Sequence, residues 1–298
     1  MSRHGSHRDL SGATTRRVFV GDHDVFYHVA GDGPPVVLLH GGGWDAAALS
    51  WRETVPALAE THTVYAPDLP GYGGSDPLGE TPTTSSYGAF VVDFLDAIGV
   101  DAAALVGLSL GGSVALDVAL SRPERVSRLV LVDSYGLGGT VPGGSLGALF
   151  VRIPRMAEAI EGLLARHRRL TALGVRGIVH PVNLTPELVD DVWAVARDHD
   201  GRAWRAFQRN EVGFGGLRTN YVDRLPDLSV PTLLVHGEQD ALVPADWTVR
   251  AGTLIPDAEV RILPQCGHWP PRERPDRFTE LVGGFLASAA QSNSPVDM

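Results

Sequence analysis

The sequence predicts an α/β fold, doubly wound around a mostly parallel sheet and interrupted by an inserted helical lid. Three observations carry this reading. Short, continuous apolar runs alternate with helical segments along most of the 298 residues, the pattern of strands buried on both faces and joined by crossover helices. A Gly-x-Ser-x-Gly pentapeptide, Gly107-Leu-Ser-Leu-Gly111, stands between one such run and one such helix. The stretch from about Tyr135 to Asp223 breaks the alternation and is helical in pattern, with no clear buried strand.

Taken in order, residues 1–16 are polar and Gly/Ser-rich and read as a disordered tail. Val18–Val20 and Val25–Val29 form a hairpin across Gly-Asp-His-Asp. Six apolar runs follow as strands: Pro35–Leu39, Thr63–Pro67, Ala102–Val106, Val126–Val132, Thr232–His236 and Val260–Leu263. Helices fit between them at about Ser50–Ala59, Ser85–Ile98, Leu110–Leu120, Ala245–Leu254 and Pro275–Ala289. The interrupting stretch opens Gly-rich (Gly136–Gly147) and carries helical segments at Met156–Leu170, Thr185–Asp198 and Arg202–Val212. The core is therefore 17–134 plus 224–288, the lid 135–223, and 289–298 a second tail.

Composition narrows the function classes. With 44% hydrophobic residues the chain can bury one large core. No apolar run approaches the ~20 residues of a membrane-spanning helix, and the N-terminus has no apolar signal region, so the cytoplasm is the expected compartment. A net charge of −10 argues against nucleic acid or an anionic membrane as partner. The single cysteine, Cys266, forms neither an internal disulfide nor a metal cluster. All 25 basic residues are arginine, which excludes a lysine Schiff base; genome bias and adaptation to high salt both account for the missing lysine.

The pentapeptide is where chemistry enters. Glycines on both sides of Ser109 permit a turn too sharp for side chains, lifting the hydroxyl above the sheet beside a helix N-terminus. A serine needs a base. Of 11 histidines, His268 lies on a loop after the last strand, in Cys266-Gly-His-Trp-Pro, whereas His40, His62, His180 and His236 are less suitably placed. The acid that orients the base is expected at Asp240, after the strand Thr232–His236, with Asp133 and then Glu238 as alternatives. The Gly-rich loop His40-Gly-Gly-Gly-Trp44 offers uncovered amides, so the N–H groups of Gly42 and Leu110 are the expected oxyanion donors. Gly43, Trp44, Leu108 and Trp269 are expected to line the substrate pocket, although both tryptophans also suit plain packing. No phosphate-binding glycine motif is present, and no metal or organic cofactor is expected.

From about residue 17 to 288 these features resemble the α/β-hydrolase superfamily; Asp68–Asp76, Pro231–Asp240 and Arg274-Pro-Asp-Arg-Phe are similar to its motifs. The resemblance implies an eight-stranded sheet and a lid between strands six and seven. Similar dehalogenases and epoxide hydrolases carry Asp where Ser109 stands. The sequence is most similar in flavour to meta-cleavage product hydrolases, which cleave C–C bonds, through His40-Gly-Gly-Gly, Cys266-Gly-His-Trp269 and Thr185–Trp193. That resemblance implies Asn before the nucleophile and Arg before the lid tryptophan, both polarising the dienol acid; here they are Leu108 and Val192, with Arg209 and Arg218 as possible substitutes. The reading is thus a serine hydrolase of a small or medium ester acting through an acyl-enzyme. A C–C hydrolase and a non-catalytic ligand receptor are the alternatives.

Overall fold

The computed structural model describes residues 10–140, 153–213 and 215–288. Strands β1 (Thr14–Val20) and β2 (His23–Ala30) form the hairpin, and β3 (Pro35–Leu39), β4 (Thr63–Pro67), β5 (Ala103–Leu108) and β6 (Val126–Val132) follow. A two-stranded ribbon, β7 (Val212–Gly213) and β8 (Gly216–Leu217), lies outside the main sheet, which resumes with β9 (Thr232–Gly237) and β10 (Ala258–Leu263). The eight-stranded order is β1-β2-β4-β3-β5-β6-β9-β10, antiparallel where β2 meets β1 and β4, and parallel elsewhere. The eight strands are those read from the sequence. Order begins earlier than residue 17, however, because β1 starts at Thr14 and Leu10 is buried against the core. The hairpin loop is also shorter, two residues rather than four. Residues 1–9, 289–298 and most of the Gly-rich segment lie outside the described residues.

Alternation along each strand divides the core into two layers. Val37, Leu39, Leu105, Leu129, Leu131 and Leu234 face one side, with α3 (Thr84–Ala97), α4 (Leu110–Ser121) and α9 (Ala245–Leu254) packed there. Val36, Leu38, Val106, Val130, Val132 and Val235 face the other, against α2 (Thr54–Leu58) and α11 (Pro275–Ala287), which follows the short α10 (Pro270–Glu273). Burial on both faces is why these strands read as unbroken apolar runs. The segment read as one helix over Ser50–Ala59 is two, α1 (Ala47–Ser50) and α2. Their junction contains Trp51, which is fully buried and stacks with Phe278 of α11.

Between β6 and β9 the insertion carries α5 (Pro154–Arg166), α6 (Arg168–Arg176), α7 (Pro186–Asp198) and α8 (Arg202–Glu211). The stretch Met156–Leu170 is therefore two helices, broken at His167, which has an extended backbone. Helix α7 begins as its sequence requires, with the Thr185 hydroxyl accepting from the Leu188 amide and Pro186 at the first turn. Its Asp191, 4% exposed, anchors the insertion to the core. It accepts from Arg272 at 3.0 Å and from Arg52, and Arg272 also donates to the Leu49 carbonyl. Among the described residues no helix is long and apolar enough to cross a membrane.

Removing one member of a buried ion network leaves the other charge poorly compensated. Asp191→Ala should cost about 3 kcal/mol in urea-unfolding stability, and a loss below 1 kcal/mol would show that the docking of the insertion does not depend on this ion network.

Candidate active site

The turn at Ser109 is dictated by its neighbours. A Cβ on Gly107 would lie 2.2 Å from the Gly111 carbonyl oxygen, and one on Gly111 would lie 2.2 Å from that of Leu39. No side chain fits at either position, so β5 passes into α4 with the two backbones in contact. The residue between them takes the strained values φ 52°, ψ −111°. The Ser109 amide donates to the Val132 carbonyl, and its carbonyl accepts from Ser113 and Tyr135, tying the strained residue to β6 and α4. At the first helical position Leu110 has an amide with no intrahelical acceptor. Gly41 packs beside the serine, where a Cβ would stand 3.6 Å from that of Ser109.

His268 faces the same cavity as Ser109. Its Nδ1 lies 2.7 Å from Asp240 Oδ2, while Asp240 Oδ1 accepts from the amides of Leu242 and Val243. Burial alone would raise the carboxyl of Asp240. The adjoining His268, with hydrogen bonds from both histidines and Val243, outweighs it and holds Asp240 well below the usual carboxylate range. The structure thus brings Ser109, His268 and Asp240 to one end of the sheet from three separate loops.

The cavity, about 310 Å³, is walled by Gly42, Gly43, Trp44, Leu108 and Trp269 from the core, and by Val192 and Trp204 from the insertion. Gly43, Trp44, Leu108 and Trp269, the residues expected to line a substrate pocket, are all placed at this cavity. Trp269 is 5% exposed and donates its indole N–H to Ser50, which in turn donates to Asp45. It is a wall whose polar end is already engaged. Trp204 explains Gly42, since a Cβ there would fall 2.3 Å from the indole.

The alpha/beta hydrolase family model matches residues 36–281. The chain belongs to this family. A 2-hydroxymuconate semialdehyde hydrolase of Pseudomonas sp. (strain CF600) is 32% identical over 277 residues, 88% of this chain and 90% of its own. A 2-hydroxy-6-oxononadienedioate/2-hydroxy-6-oxononatrienedioate hydrolase of Dechloromonas aromatica is 32% identical over 91% of this chain and 93% of its own. Among solved structures, a serine hydrolase involved in carbazole degradation superposes with a TM-score of 0.77 at 28% identity, covering 92% of this chain and 99% of that one.

Three positions in this hydrolase were not singled out as functional from the sequence. Glu273, 6% exposed, accepts from the amides of Gly267 and Trp269 on either side of His268, and from His180 of the insertion. Asp45 accepts from the Gly41 and Ala46 amides and so shapes the Gly-rich loop. His236 lies between Asp133 and Asp240, 3.4 Å from each. Asp45 and Glu273 bond amides one to six residues away, a local signal that motif spacing did not select, whereas the Asp133–His236 contact and the Glu273 bond to His180 join residues far apart in sequence. The loop Asp68–Asp76 braces the Gly-rich loop and the start of α1. Asp68 accepts from Ala47 and Gly74, and the Leu69 amide donates to His40 Nε2, placing the His40 proton on Nδ1 against the Gly41 carbonyl.

Asp133 is close to Asp240 but differs electrically. It is fully buried, accepts from the Gly237 amide through Oδ1, and has an Oδ2 without a hydrogen-bond partner among the described residues. Burial raises its pKa well above the carboxylate range; His236 opposes this and the charge on Asp240 reinforces it. Burial and the neighbouring charge thus disfavour ionisation of Asp133, whereas the donors around Asp240 favour it. Glu238 is exposed and bonded to Gln239, and burial raises the Cys266 thiol, keeping it protonated.

His199, stacked on Tyr72 at 5.5 Å between ring centroids, also borders the cavity; burial lowers its pKa from the ordinary 6.5 to about 4. Between these values the unfolded chain binds a proton that the folded one refuses. Stability is thus unaffected above pH 6.5 and falls as pH drops through 6.5 towards 4, by up to roughly 3 kcal/mol. His199→Phe should retain the stacking and flatten this part of a stability-versus-pH curve; an unchanged slope would count against the assignment.

Proposed function

We propose that this hydrolase cleaves small or medium carboxylic esters through an acyl-enzyme, with Ser109 as nucleophile, His268 as base and Asp240 as the acid that orients it. His268 Nδ1–H is held by ionised Asp240, leaving Nε2 as the proton acceptor. Nε2 takes the Ser109 proton as Oγ attacks the ester carbonyl. The amides of Leu110 and Gly42 receive the developing oxyanion. The tetrahedral intermediate collapses, His268 protonates the departing alcohol, and the same nitrogen then activates water to release the acid and regenerate Ser109. The helical insertion serves as the lid, supplying Val192 and Trp204 as apolar walls.

The observation that carries the ester reading is the apolar pair Leu108 and Val192, both bordering the cavity. In the resemblance to C–C hydrolases these positions are Asn and Arg, which polarise a dienol acid. The candidate substitutes do not supply that function, since Arg209 and Arg218 are exposed away from the cavity and Arg218 is bonded to Asn210. A second reading, C–C cleavage of meta-cleavage products, is favoured by the names and full-length similarity of the relatives. On that reading the apolar pair would have to be tolerated.

A fluorophosphonate should label the wild type at Ser109 and leave Ser109→Ala unlabelled, while short-chain p-nitrophenyl esters turn over and a coloured dienol ketoacid does not. Turnover of the dienol with esters inert would transfer the assignment to C–C cleavage. Asp240→Asn should lower kcat on the order of 10³–10⁴-fold. Asp133→Asn should cost less than about tenfold, because Asp133 is bonded to the Gly237 amide and lies against His236, whereas His268 Nδ1 is held by Asp240. Equal losses in the two variants would contradict the assignment of the acid.

A further inference from the structure

The ionisable side chains bordering the cavity are unequal in what they leave free. Asp45 is saturated by Gly41, Ala46 and Ser50, and His268 is committed to Asp240. Glu161 of α5 remains. Its Oε2 accepts from Arg205 Nη1, while its Oε1 has no protein partner among the described residues. Arg205 is 12% exposed and gives its Nη2 to the Asp200 carbonyl, so its guanidinium is turned to the protein. Among the described residues no arginine borders the cavity. His199 Nε2 is buried without a partner. The pair is built into the backbone: Gly201 sits at φ 64°, and a Cβ there would lie 2.3 Å from Arg205 Nη1 and 2.8 Å from Glu161 Oε2.

We infer that Glu161 sets the substrate charge of this cavity, admitting neutral esters, hydroxyl-bearing ones best, and rejecting carboxylate-bearing ones. The inference rests on the ester reading and deepens it. A substrate carboxylate entering here approaches Glu161 and meets no free cation among the described residues, so like charges repel. Burial pushes the Glu161 carboxyl up, and the Arg205 guanidinium bonded to it counters this. A substrate hydroxyl instead donates to Glu161 Oε1. The pair thus acts as a specificity determinant remote from the bond that breaks.

The test compares p-nitrophenyl butyrate, 3-hydroxybutyrate and hemisuccinate. Wild type should give kcat/KM highest for the hydroxy ester and at least tenfold lower for the hemisuccinate than for the butyrate. Glu161→Gln leaves Arg205 uncompensated and should raise the hemisuccinate-to-butyrate ratio at least tenfold. Arg205→Gln should move it in the opposite direction, whereas a merely structural pair would shift both variants alike. An unchanged ratio in Glu161→Gln, or hemisuccinate accepted as well as butyrate by the wild type, overturns the inference. Binding of methyl 3-hydroxybutyrate and monomethyl succinate to Ser109→Ala separates the two proposals. Esters inert with wild type defeat the ester reading, while the charge preference stands on a tenfold tighter neutral ligand and falls on equal binding.

Discussion

Helix α4 approaches β3 and β5 so closely that neither Gly107 nor Gly111 has space for a methyl group, and the rest of the site is arranged around that contact. It bends the chain at Ser109 into a conformation that costs free energy, of order 1–3 kcal/mol for such residues. The cost is sustained because the backbone of Ser109 is bonded into β6 and α4 and the strands beneath are buried on both faces. The same contact opens α4 at Leu110, so the strained serine and the unpaired amide beside it are one construction. Loosening it would displace both together.

Around this fixed point, two carboxylates hold the remaining loops. Glu273 gathers the amides flanking His268 and reaches the insertion at His180, while Asp45 gathers the Gly-rich loop and, through Ser50, the indole of Trp269. Each satisfies backbone donors that burial would otherwise leave without partners. The insertion is therefore joined to the catalytic end of the sheet by hydrogen bonds as well as by the Asp191–Arg272 pair.

Electrostatics then distinguishes groups of the same kind. Asp133 and Asp240 follow adjacent strands and face the same histidine, yet burial raises the carboxyl of the first, whose Oδ2 has no partner among the described residues, while the donors around the second hold it low. In the cavity the same principle separates Asp45, fully bonded, from Glu161, which keeps one oxygen free. Charge alone predicts neither role; the number and direction of donors does.

The sequence by itself determined the fold, the eight strands and the strand-to-helix serine, because each rests on local periodicity or on glycines within one turn, while Asp240 and His268 were expected from their places after β9 and β10. It also carried the two substitutions, Leu108 and Val192, that bear on the reaction. Boundaries where propensity is weak were not legible: the break at His167, the division of Ser50–Ala59 around Trp51, and the start of β1 at Thr14. Tertiary structure alone decided that Trp204 covers Gly42, that Glu273 clamps the histidine loop, that His236 joins two aspartates, and that Arg205 is spent on Glu161. Those contacts join residues from different elements, and neither periodicity nor motif spacing records which side chains meet across a cavity.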